Sequence, residues 1–149
     1  MSRTVKNLIT GQSIQTPEPL DIEVEYDGKV MITETDTAGI ITYANRKFIE
    51  LTGYTKEQTI GSPHFINRHP DMPKAAFKDM WTTLKSGQPW EGLVKNLNQD
   101  GRYYNVLVWA KPKFDENEKI VGYIAGRKIA DKDAMERALV RYKKMKEEE

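Results

Sequence analysis

Between residues 67 and 73 the chain reads Asn-Arg-His-Pro-Asp-Met-Pro, and its two prolines limit what this segment can become. Each proline fixes its own φ and pushes the preceding residue, His69 and then Met72, away from helical geometry. The segment therefore cannot form the middle of a helix or of a central strand. It holds a cation, an imidazole and a carboxylate (Arg68, His69 and Asp71) on a stiff backbone. Immediately afterwards Ala76, Phe77, Met80, Trp81 and Leu84 recur at helical spacing, which predicts a helix from about Lys74 to Lys85 that Gly87 ends. A rigid polar loop feeding an amphipathic helix suits a site that presents several fixed polar groups to one ligand.

The flanking sequence gives the architecture. Before the loop, VMITET alternates, DTAG is a turn, and IITY is β-branched, which together predict a β-hairpin. Asn45 then N-caps a short helix that Gly53 stops, and Thr55 with Gln58 opens a helical turn ended by Gly61. After the Lys74–Lys85 helix, WEGLVKNLN, YYNVLVWAKPKF and IVGYIAGRKI read as three strands in a meander, joined by NQDGR and DENEK turns. Pro112 suits an edge or the end of its strand. The fold expected is α+β, a five-stranded antiparallel sheet with short helices on one face. Residues 1–28 form an N-terminal cap or arm, with Val5, Leu8, Ile9 and Ile14 as its apolar points. Residues 29–130 form the domain and 131–149 an exit helix with Met135, Ala138, Tyr142 and Met145 as its seam.

Composition removes whole classes of function. The 149 residues carry 23 basic and 22 acidic side chains, a net charge of +1, so no electrostatic footprint for nucleic acid exists. Without cysteine there is no disulfide, thiolate metal site or iron–sulfur cluster. No apolar run approaches the roughly 20 residues that span a bilayer, and residues 1–15 lack a signal-peptide apolar core. A soluble, cytoplasmic protein without direct membrane insertion is expected. No nucleophile–base set, phosphate-cradling glycine loop or metal-ligand cluster argues for an enzyme.

The order of elements, with TDTAGIITYANRKFIELTGYTKEQTIG at its front, resembles a PAS domain from about Val30 to Lys128. Within it, INRHPDMPKAAFKDMWTTLKSGQPWEGLVKNLNQDGRYYNV resembles the aerotaxis-receptor (Aer-like) energy-taxis family. The RHPDMP, DMW, PW and VKN segments at these intervals carry that narrower likeness. The resemblance implies PAS fold, non-covalently held FAD and redox sensing, with Asn45, Arg68, His69, Asp71, Phe77, Trp81, Trp90, Asn96 and Tyr104 at positions tied to flavin binding or signalling. In physical terms, Arg68 suits the pyrophosphate and His69 adds a hydrogen bond or charge there. Asp71 would hold Arg68 or His69. Trp81 and Trp90 would be ring walls, and Asn45 and Asn96 would meet the polar edge of the flavin.

This chain differs from the pattern at Asn105, where the family has tryptophan after the matched tyrosine. It also shows no membrane segment or signalling domain beyond the PAS region. The resemblance thus implies a stand-alone form that signals to a separate, membrane-bound, HAMP-containing chemotaxis transducer, at the inner membrane only through that partner, with a homodimer compatible. The N-terminal arm and exit helix are the docking candidates. Reduction of the flavin would shift bonds from Asn45 or Asn96, and the shift would reach those elements through the sheet. The absence of cysteine excludes photochemistry of the LOV type. A haem-binding PAS sensor, with His64 or His69 as axial ligand, and a ligand-free PAS interaction module remain as alternatives.

Overall fold

The computed structural model describes residues 2–149. Its main sheet contains β3 (Met31–Thr35), β4 (Ile41–Ala44), β5 (Trp90–Leu97), β6 (Tyr103–Phe114) and β7 (Ile120–Ile129), after an N-terminal pair β1 (Thr4–Lys6) and β2 (Ser13–Gln15). The five strands are antiparallel in the order β4-β3-β7-β6-β5, the α+β architecture expected from the sequence. α1 (Arg46–Thr52), α2 (Lys56–Thr59), a 3-10 turn (His64–Asn67) and α3 (Lys74–Lys85) lie between β4 and β5 in the chain, and α4 (Lys132–Glu147) follows β7.

Local chemistry sets the boundaries. The Asn45 side chain accepts a hydrogen bond from the Phe48 amide and so starts α1. Gly53, at φ 82°, provides the left-handed residue that ends it. Thr55 and Gln58 form a reciprocal capping box on α2. Pro73 precedes α3, which begins as soon as the proline restriction is past. Pro112 lies beyond Ala110, the last β6 residue paired with β5, on a stretch with only β7 beside it.

Strand register decides what the sheet shows to the helices. The pairs Met31–Arg127, Thr33–Ala125, Asn96–Tyr104 and Ala110–Ala125 put these side chains on the inner face. On the outer face, Trp109 lies across Gly126, where any Cβ would overlap the indole. The main core is Met31, Phe48, Leu51, Met72, Val94, Tyr104, Val106 and Val108, with Phe48 only 1% exposed. Full burial of a side chain of that size contributes about 1.5–3 kcal/mol. A smaller cluster of Leu84, Ala110 and Tyr123 sits under the end of α3.

The N-terminal segment is a hairpin. Val5 and Ile14 pack on Ile41, Tyr54 and Ile66, while Leu8 and Ile9 at its tip are exposed. Asn7 is fully buried, and its amide donates to the carbonyls of Glu57, Gln58 and Ile60. Arg3 donates to the carbonyls of Phe65 and Arg68. The hairpin thus braces the segment that leads into the proline loop. Among the described residues no helix is long and apolar enough to cross a membrane.

Candidate functional site

The two clusters of the inner face are separated by a cavity of about 430 Å³, within the usual range for small-molecule sites. Val94 and Val108 of the main core and Leu84, Ala110 and Tyr123 of the smaller cluster all line it. This explains a feature of α3 that helical periodicity alone does not show. Only Leu84 on that helix is buried; Phe77, Met80 and Trp81 are half-buried because they face open space rather than packed core. Trp81 meets Tyr123 edge-on, with ring centroids 5.2 Å apart.

The charge around this space is one-sided. Arg68, Lys78, Lys85 and Arg127 line the cavity, and among the described residues no aspartate or glutamate does. Arg127 is the exceptional group, because it is 3% exposed and forms no ion pair with any described carboxylate. Its Nη2 donates to Thr33 Oγ1 at 2.9 Å and to His64 Nε2 at 2.7 Å. Burial lowers its pKa to about 10, and still leaves it charged at neutral pH. Burial, reinforced by the adjacent guanidinium, pushes His64 down to about 3, so its imidazole is neutral and Nε2 serves as the acceptor. A buried cation without a counter-ion is costly, and an anionic or carbonyl-rich ligand would offset that cost.

Two amides complete the polar end. Asn67 donates through Nδ2 to Tyr104 Oη at 3.1 Å, which orients it at the cavity wall. Asn96, 5% exposed, lines the cavity and has no side-chain hydrogen bond to any described residue. At the rim the Arg68 guanidinium lies 4.5 Å from the Phe77 ring centroid, with no hydrogen-bond acceptor among the described residues. The ring supports the cation and leaves its five N–H donors available.

Of the residues singled out from the sequence, Arg68, Phe77, Trp81 and Asn96 meet at this cavity. The other five do not line it. Asn45 spends its oxygen on the α1 cap and its amide on the Val30 carbonyl. His69 points elsewhere, its Nδ1 accepting from the Asp71 amide at 3.0 Å and its ring edge-on to Tyr103. Burial and then nearby Lys95 lower its pKa to about 4, so it is neutral. Asp71 does not hold Arg68; its carboxylate pairs with Lys95 at 3.0 Å and makes no hydrogen bond to the neutral His69 ring, whose Nδ1 is 3.8 Å away. Trp90 donates to Asp79 Oδ2 at 2.9 Å on the far side of α3, and Tyr104 is buried behind Asn67.

Thr33, Asn67, Lys78, Lys85 and Arg127 also line the cavity without a motif in the sequence that points to them, and His64 stands out in the sequence only as a candidate haem ligand. Arg127 left a signal nonetheless. It shares strand parity with Tyr123 and Ala125, so it is a charge at an inward position.

Comparison with known proteins agrees with the fold. The PAS fold family matches residues 29–126. The aerotaxis receptor of Escherichia coli (strain K12) is 48% identical over 101 residues, 68% of this chain and 20% of the receptor. The nitrogen fixation regulatory protein of Klebsiella pneumoniae is 29% identical over 125 residues, 84% of this chain and 25% of that protein. The chain therefore spans about a fifth to a quarter of the length of these relatives. The light-state structure of the blue-light photoreceptor Aureochrome1 LOV superposes with a TM-score of 0.67 at 24% identity, over 76% of this chain and 91% of that one, a likeness of fold.

Proposed function

The chain belongs to the PAS family, and on that premise we propose that it is an FAD-binding redox sensor for aerotaxis or energy taxis that signals to a chemotaxis transducer. The observation that carries the ligand assignment is the cavity's charge: four lining cations, one of them buried without a counter-ion, and no described acid. A flavin combines an apolar ring system with a carbonyl-rich edge and a phosphate-bearing tail, and bound flavin supplies reversible electron uptake that makes the ring more negative. Phe77, Trp81, Leu84 and Val108 offer apolar walls for the ring. Asn96 and Asn67 offer amides to its polar edge, and Arg127 supplies the positive charge that favours the reduced form. Arg68 at the rim, with Lys78 and Lys85, suits the phosphates.

The similarity to an aerotaxis receptor supports the sensory role and the chemotaxis partner. Haem fits these residues less well, since His64 Nε2 is engaged by Arg127 and Thr33, and His69 does not line the cavity. The test is equilibrium dialysis of the purified protein against FAD at low and high salt. Saturable one-to-one binding that weakens with salt, and weakens further in Arg68→Ala, is expected. Binding that is indifferent to both salt and Arg68 contradicts the rim assignment, and no binding contradicts the flavin reading.

A further inference from the structure

α3 serves two compartments. Phe77, Met80 and Trp81 line the cavity, while Ala75, Ala76 and Asp79 line a separate groove completed by β5 and α4. Trp90, the first residue of β5, lies where these walls meet. Its Nε1 donates to Asp79 Oδ2 at 2.9 Å, and its ring lies over Gly92, where any Cβ would overlap the indole. The indole is therefore seated on the strand and bonded to the helix. One residue further along β5, the Leu93 carbonyl accepts from Tyr142 Oη of α4 at 2.6 Å. Tyr142 also packs against the main core, as do Phe77 and Trp90. The edge strand is thus the shared support of the cavity wall and of the C-terminal helix.

We propose that the Trp90–Asp79 hydrogen bond is the joint that passes the position of α3, as set by the contents of the cavity, to α4. The route runs from α3 through Asp79 and Trp90 to the β5 edge, then through the Leu93 carbonyl to Tyr142. It does not use the exposed face of the sheet. Trp90 and Asp79 act here as positioning residues and do not line the cavity. The ligand-dependent half of the proposal rests on the flavin reading; the joint itself does not.

Hydrogen exchange of α4 amides in the full chain, with and without saturating FAD, tests it in the wild type, Trp90→Phe, Asp79→Ala and Asp79→Asn. Trp90→Phe keeps an aromatic ring without the donor, and Asp79→Asn keeps an oxygen acceptor. In the ligand-free protein α4 exchange rises roughly tenfold in Trp90→Phe and Asp79→Ala, as expected for loss of the hydrogen bond, and rises clearly less in Asp79→Asn, which keeps a neutral acceptor. On FAD addition the wild type and Asp79→Asn change α4 protection, while the other two lose at least half of that change with FAD affinity within about threefold of wild type. Equal α4 exchange in all four ligand-free proteins, or an undiminished FAD response in Trp90→Phe, overturns the joint. A tenfold or greater loss of FAD affinity in Trp90→Phe also overturns it, because that places the indole in binding. A wild type that takes up no FAD sinks the flavin reading, and the ligand-free comparison still decides the joint.

Discussion

Replacing Arg127 by methionine separates the two roles that this residue combines. In the protein without ligand the guanidinium is 3% exposed and faces no described carboxylate. Its removal therefore relieves a buried charge, at the cost of three hydrogen bonds, the weakest at 3.4 Å to the Ala125 carbonyl, and a cation–π contact with Phe48 at 5.4 Å. Neither side-chain acceptor is orphaned, because Thr33 Oγ1 and His64 Nε2 are 3.0 Å apart and the threonine can donate to the imidazole. Apolar replacements of buried charges are commonly neutral or stabilising, so urea unfolding of Arg127→Met should give a stability within about 1 kcal/mol of wild type, or higher. FAD binding should respond in the opposite direction. Loss of a charge-assisted hydrogen bond of about 1.5–3 kcal/mol weakens affinity between about tenfold and 150-fold, read by flavin fluorescence titration. The flavin midpoint should also fall, by about 59 mV for each tenfold that the one-electron reduced form loses beyond the oxidised form. A variant more than about 2 kcal/mol less stable than wild type, with unchanged FAD affinity and midpoint, refutes the reasoning, since Arg127 would then be a structural residue.

Three further outcomes follow from the same geometry. Asn45→Ala removes the α1 cap and should cost about 1 kcal/mol in urea unfolding with FAD affinity unchanged; a large affinity loss would mean that Asn45 meets the ligand. Asn7→Ala strips the buried bridge between the N-terminal hairpin and α2 and should cost roughly 2–3 kcal/mol, and a cost under about 0.5 kcal/mol would show that the hairpin does not brace the fold. His64 and His69 are held neutral, at about 3 and about 4 against an ordinary 6.5, so only the unfolded chain takes up their protons as pH falls below 6.5. Their stabilisation is complete above that pH and is lost on acidification toward 4, each histidine adding up to about 1.4 kcal/mol per pH unit; denaturation midpoints that stay flat between pH 6.5 and 5 would contradict this.

What was legible in the sequence follows from how strongly each element is encoded locally. α3 could be bounded at Lys74 and Lys85 because Pro73 and Gly87 punctuate a clear helical period. The β3–β4 hairpin and the meander declared themselves by alternation and turn residues. The N-terminal hairpin did not. Each of its strands has three residues with one buried, too few to show a period, and its main fastener is one amide, Asn7. The site divides the same way. Arg68, Phe77, Trp81 and Asn96 meet because the stiff loop, the helix face and one strand face converge. Trp90 shares strand parity with Val94 and Asn96, yet its place at the start of β5 carries it past α3 into another compartment. Parity gives the face of a sheet, and only tertiary packing gives the position along it. Arg127 escaped for the opposite reason: a lone arginine in a late strand looks like surface until the register turns it inward.

The central claim is that this cavity holds FAD as a redox-active group, and the absorption spectrum of the purified protein tests it most directly. The account predicts a yellow protein with flavin bands that bleach on anaerobic reduction, return in air, and release FAD on denaturation. A Soret band, or a colourless protein that remains colourless after incubation with excess FAD, would contradict it.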